Sequence, residues 1–106
     1  MGFFDFFRGT DINEGVRRYL DTPGSLLVDV RTPQEYRQGH IPGSRNFPLG
    51  ETDELEKQVP DRETPLFVYC LSGSRSGRAA GVLRRMGYKT VINIGGISGY
   101  RGKVER

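Results

Sequence analysis

The sequence predicts an α/β domain: an open, mostly parallel sheet covered by helices on both faces. Three observations carry that expectation. Two short apolar runs, residues 26–30 (LLVDV) and 66–70 (LFVYC), have the length and composition of strands. Neither alternates cleanly between apolar and polar residues, as a strand buried on both faces need not. Between and around them lie helix signals with their own start and stop residues, so strands and helices alternate along the chain.

Taken in order, the first helix is announced by Asp11 and Glu14, at capping-box spacing ahead of GVRRYL. The run LLVDV follows as the first clear strand. Thr32-Pro33-Gln34-Glu35 is a stronger helix start. Thr32 can cap, Pro33 suits the first helical position, and Glu35 can reach back to the cap. Gly39 ends that short helix. A very short strand is expected at residues 46–47, then a helix over 51–59 (ETDELEKQV) stopped by Pro60. The central strand LFVYC leads into a helix from about residue 75 to 86. Its apolar face is Ala79, Val82, Leu83 and Met86, and Gly87 stops it. Residues 90–93 (TVIN) read as a further strand. No repeat, low-complexity tract or linker divides the 106 residues, which suit one domain.

Composition narrows the function. Hydrophobic residues make up 35% of the chain and aromatics 10%, enough for a packed core. A single cysteine excludes an internal disulfide. It fits a reducing, cytoplasmic setting or a reactive thiol rather than a secreted disulfide scaffold. The net charge is +3, and Arg75, Arg78, Arg84, Arg85, Lys89, Arg101, Lys103 and Arg106 weight the C-terminal third toward positive. That bias suits a small anionic substrate or an acidic partner. No nucleic-acid-binding motif or long basic run is present, so no nucleic-acid partner is expected. The start, MGFFDFFRG, is apolar but interrupted by Asp5, and too short for a secretory core of roughly 7–15 apolar residues. No stretch would span a bilayer, and no membrane partner is expected. Residues 1–9 are expected to pack on the domain as a short hydrophobic segment, with 10–106 forming the domain itself, as a monomer or weak homodimer.

The sole thiol, Cys70, stands at the end of the central strand, where open α/β sheets bind ligands. The loop after it, Leu71-Ser72-Gly73-Ser74-Arg75, opens a helix. Small residues let such a loop curl so that several N–H groups point inward beside a helix N-terminus. That makes an anion site which also stabilises a thiolate. The arrangement supplies a nucleophile and a cradle, with Arg75 as a cation for the anion. The competing reading of a lone cysteine, a buried and inert thiol, fits this context less well.

Two blocks then resemble a known family. Residues 26–49, LLVDVRTPQEYRQGHIPGSRNFPL, are similar to the rhodanese pattern of Asp-Val-Arg, Glu-Tyr and Gly-His-Ile-Pro-Gly. The stretch VYCLSGSRS is similar to the family's Cys-x-x-Gly-x-Arg loop, and NIGGISGY resembles its Gly-Gly-Ile segment. Together the likeness covers about residues 11–100. It implies a single-domain rhodanese fold with a parallel sheet of about five strands. It also implies a sulfurtransferase. Cys70 would take the sulfane sulfur of a small anionic donor such as thiosulfate as a persulfide, and cyanide or a thiol would then accept it. No metal or organic cofactor is implied. Leu71, Ser72, Gly73, Ser74, Arg75 and Ser76 would surround the substrate. The family's phosphatase relatives carry Cys-x5-Arg; here the spacing is Cys-x4-Arg, and Ser76 is not an arginine, which favours a sulfane sulfur over a whole phosphate.

Departures from the pattern are informative. Leu71 stands where many relatives carry a second basic residue, which weakens the pull on a dianion. NIGGI is one residue shorter than the commonest version, and Tyr100 replaces a frequent tryptophan. A persulfide relay fed by a protein donor, with weak thiosulfate turnover, therefore stands as the alternative. The remaining candidates read as supports. Asp29 is expected to hold loop N–H groups, and Arg31 to pair with a carboxylate such as Glu35. The lone His40 is expected to buttress a turn rather than serve as a base. Ser72 and Ser74 are either hydroxyl donors or small loop formers. Asn93, Gly95 and Gly96 are expected to shape a turn.

Overall fold

The computed structural model describes residues 11–106. The expected packing of residues 1–9 lies outside them. The elements are α1 (Ile12–Leu20), β1 (Leu26–Asp29), α2 (Pro33–Gln38), β2 (Ser44–Asn46), α3 (Thr52–Gln58), β3 (Leu66–Cys70), α4 (Ser74–Arg85) and β4 (Val91–Gly96), followed by a 3₁₀ turn (Ile97–Gly99). Among the described residues the sheet has four parallel strands in the order β2-β1-β3-β4, against the five or so expected.

Helix starts follow the side-chain chemistry. At α2 the capping box closes as read: Thr32 Oγ1 accepts the Glu35 N–H at 3.1 Å and Glu35 Oε1 accepts the Thr32 N–H at 2.9 Å. At α1 it does not. Asp11 accepts from the Asn13 N–H instead, and Glu14 turns along the helix to Arg17 at 2.8 Å.

The central strand, β3, is buried along its whole length. Its alternation sorts side chains onto two cores. Leu66, Val68 and Cys70 face one layer with Leu55 of α3 and Ala79, Ala80 and Leu83 of α4. Phe67 and Tyr69 face the other, with Leu27, Ile94 and Ile12 of α1. Burying each such leucine, valine or phenylalanine contributes roughly 1.5–3 kcal/mol. Helix α2 buries none of its own residues and is tied to the sheet by the Tyr36 hydroxyl, which donates to Ser44 O of β2 at 2.6 Å. Strand β4 is longer than the expected 90–93 because it shifts register against β3 beyond Val68, which lets it continue through Gly95 and Gly96. Gly96 then lies opposite Cys70.

Candidate active site

Parallel strands deliver all their carboxyl ends to one edge, and Cys70 is the last residue of β3 there. Three loop residues separate it from α4. Gly73 has φ of 107°, a left-handed conformation that costs glycine little and turns its N–H back toward the sulfur. On the other side, a Cβ on Gly96 would lie 2.1 Å from the Leu71 carbonyl oxygen, so glycine alone lets β4 close on the loop. The Ser98 N–H fastens that contact by donating to Leu71 O at 3.1 Å.

The result is a ring of donors around one sulfur. Cys70 Sγ receives the Gly73 N–H at 3.0 Å and the Ser76 N–H at 3.3 Å, with Ser76 Oγ at 3.4 Å. Cys70 and Ser76 are both fully buried. Burial alone would push the thiol up. The hydrogen bonds from the side chain and backbone of Ser76 and the N–H groups of Gly73 and Ser72 outweigh it and hold the thiol below its ordinary value. Ser72 and Ser74 are exposed at the loop surface, and the hydroxyl that reaches the sulfur belongs to Ser76.

The charged residues pair differently from the expectation. Arg75 does not stand free for an anion. Its guanidinium grips Glu35 with two bonds of 2.8 and 3.0 Å, and this pairing holds the Glu35 carboxyl down at about 2. Arg31 therefore pairs with Asp29 rather than Glu35, at 2.7–3.1 Å through Nε and Nη2, and donates a further bond to Gly39 O. The cause is strand parity. Residues 29 and 31 share a face of the extended chain, and Asp29 sits in register with Tyr69, on the opposite face of the sheet from Cys70. Glu35, fixed by its cap at the start of α2, is left for Arg75. Asp29 does hold a loop N–H as expected, that of Arg31, at 2.9 Å. His40 stacks on Tyr36 with ring centroids 3.7 Å apart and donates through Nδ1 to Tyr36 O at 2.9 Å. Its backbone pairs with Glu105 and its Nε2 lies 3.9 Å from the Glu105 carboxylate, so its contacts tie the α2 turn to the C-terminal segment.

One residue escaped the sequence reading. Asn93 lies within β4, not in a turn, and its carboxamide bridges the strand to the Cys70 loop through Ser76 and Gly73. The available signal was an asparagine inside an apolar run, where strands disfavour it.

A family model for the Rhodanese-like domain matches residues 13–103. The chain belongs to the rhodanese family. This rhodanese is 44% identical over 71 residues to the thiosulfate sulfurtransferase PspE of Escherichia coli strain K12, covering 66% of this chain and 68% of that one. It is 38% identical over 80 residues to a protein of Allochromatium vinosum named sulfurtransferase, covering 76% and 74%. Against two relatives from Bacillus subtilis it spans 63% and 50% of their length. Among solved structures it is similar to a rhodanese with anions from E. coli, with a TM-score of 0.71 and 37% identity over 77% of this chain and 98% of that one. No helix among the described residues is long and apolar enough to cross a membrane.

Proposed function

We propose that this rhodanese moves sulfane sulfur from a donor such as thiosulfate to a thiol or cyanide acceptor through a persulfide on Cys70. The observation that carries the reading is the convergence of the Gly73 and Ser76 donors on a single buried sulfur. Those donors favour the thiolate, which attacks the outer sulfur of the donor. The donor's S–S bond breaks, sulfite leaves with the electron pair, and Cys70 carries the persulfide. An acceptor thiolate or cyanide attacks the outer sulfur in turn and releases the Cys70 thiolate. Electrons balance within the two displacements, and no metal or organic cofactor enters. Because Cys70 is buried, the exposed loop residues Leu71, Ser72 and Ser74 must give way to let the donor sulfur in. Gly73, Arg75 and Ser76 shape the cradle, and Asp29 and Arg31 support it from the other face. A single thiol that must stay reduced suits the cytoplasm.

A second reading rests on the loop's charges. Arg75 is engaged by Glu35 and Leu71 is apolar and exposed, which suits a persulfide relay charged by a partner protein better than a dianion. Intact mass spectrometry after incubation with thiosulfate tests both. The wild-type chain should gain one sulfur atom that cyanide removes, and Cys70→Ser should gain none. An adduct that survives in Cys70→Ser would sink the mechanism. A wild-type chain that stays unmodified by thiosulfate but is loaded by a protein persulfide would move the function to the relay.

A further inference from the structure

We propose that Asn93 is a positioning residue for the nucleophile: its carboxamide clamps the Gly73 carbonyl and the Ser76 hydroxyl, and so keeps the loop donors aimed at Cys70 Sγ. The proposal rests on the reading of Cys70 as the nucleophile and adds the residue that organises its cradle.

The geometry fixes both ends of the amide. Asn93 Oδ1 accepts the Gly95 N–H at 3.0 Å, a group that can only donate. Asn93 Nδ2 donates to Gly73 O at 3.1 Å, a group that can only accept. The oxygen and nitrogen therefore cannot exchange places without losing both bonds. With Oδ1 so placed, Ser76 Oγ lies 2.7 Å from it, the shortest of the hydroxyl's contacts, and donates its single proton there in the thiol form. The same Oγ lies 3.4 Å from Sγ. In the thiol form the S–H then has Ser76 Oγ as an acceptor. Once the thiol ionises, the hydroxyl proton can swing to the sulfur, and Oδ1 still keeps Gly95. Ser76 is thus a two-position donor, and Asn93 is the second position.

The clamp also acts on the backbone. Gly73 O takes the Asn93 amide and the Gly77 N–H, at 3.1 and 3.0 Å. These two bonds pin the left-handed Gly73, whose own N–H makes the shortest contact to Sγ. Without Asn93, Gly73 O loses one of these two bonds, and the turn that aims the Gly73 N–H at Sγ is held less tightly.

The experiment compares wild type, Asn93→Ala, Asn93→Leu, Ser76→Ala and the Asn93→Ala/Ser76→Ala double variant. Two readouts are taken: the pH midpoint of Cys70 alkylation by iodoacetamide, and sulfur transfer from thiosulfate. Alkylation needs no sulfur chemistry, so failure of the proposed function shows in the second readout alone. Asn93→Ala should move the alkylation midpoint upward and slow alkylation at neutral pH about three- to ten-fold, the scale of one or two lost hydrogen bonds. The double variant should lose more than Ser76→Ala alone, because the Gly73 clamp goes as well, and less than the product of the two single losses, because both act on the same cradle. Asn93→Leu keeps the volume but neither accepts nor donates and adds no charge, so it serves if Asn93→Ala fails to fold, and it too should raise the midpoint. An unmoved midpoint in the folded variants, or losses that multiply in the double variant, would overturn the proposal.

Discussion

Two buried polar clusters sit at the carboxyl edge of the same sheet, on opposite faces, and they are built on opposite principles. On the Tyr69 face, Asp29 and Arg31 meet in three short bonds. Tyr69 Oη adds the Ile41 N–H and Ser44 Oγ at 3.1 Å each. Every charge there closes on another, and burial with the nearby Asp29 charge pushes the Tyr69 hydroxyl well up from its ordinary range. On the Cys70 face, the donors converge on one sulfur and, among the described residues, no group of opposite charge bonds to it. A cluster whose charges cancel holds a fold together. A cluster of neutral donors around a weak acid holds a reactive group in readiness.

The largest effect expected from breaking this contrast is on the closed side. Asp29→Ala leaves the Arg31 guanidinium buried with Gly39 O as its remaining acceptor. Removing one partner of a buried ion pair costs about 3–5 kcal/mol. For a domain of this size that lowers Tm by on the order of 20 °C. Sulfur transfer per folded molecule, measured well below that Tm, should stay near wild type. Lost turnover with an unchanged Tm would place Asp29 in the chemistry and erase the distinction between the two faces.

A smaller effect lies on the bridge between them. Glu35 belongs to the α2 cap but spends its charge on Arg75 of the loop. Its carboxyl is held at about 2 against an ordinary 4.5, chiefly by the Arg75 hydrogen bonds. A carboxyl lowered by folding contributes stability that is full above 4.5 and is lost as pH falls through 2. Glu35→Gln should remove that acid limb from a plot of stability against pH and cost about 1 kcal/mol at neutral pH, the scale of a partly exposed pair. It also frees Arg75 for an anion, so KM for thiosulfate should fall. An unchanged KM would show that Arg75 faces away from the donor's path.

How far these clusters can be read from sequence follows from what each depends on. Local chemistry was legible. The Thr32–Glu35 box, the glycine stops and the strand–Cys–loop–helix order all rest on neighbours a few residues apart. The placement of Cys70 at the end of a central strand followed from burial of LFVYC on both faces. Partner choice was less legible. Arg31 has two carboxylates close in sequence, and strand parity selects the one on its own face. Asn93 was missed because its partners, Gly73 and Ser76, come 17–20 residues earlier and meet it only through the register shift of β4. That shift depends on how two strands pair, which no local pattern encodes.

The smallest effect sharpens the comparison from the open side. Leu71 is 45% exposed beside the sulfur, so a change there alters the mouth of the site and not the core. The loop's own cation is already paired with Glu35, so a dianionic donor meets little net attraction from the loop itself. Leu71→Lys adds one charge on a flexible stem. A contact of about 4 Å in water is worth about 1 kcal/mol, or roughly a five-fold gain in kcat/KM for thiosulfate. Raising the salt from about 0.1 M to about 1 M should shrink the gain, because the screening length falls from about 10 Å to about 3 Å, below the contact distance. Transfer from a neutral persulfide donor should stay unchanged. If both donors speed up together, the lysine acts on the Cys70 thiolate rather than on the incoming anion, and the leucine is then a constraint on the nucleophile instead of a filter on its substrate.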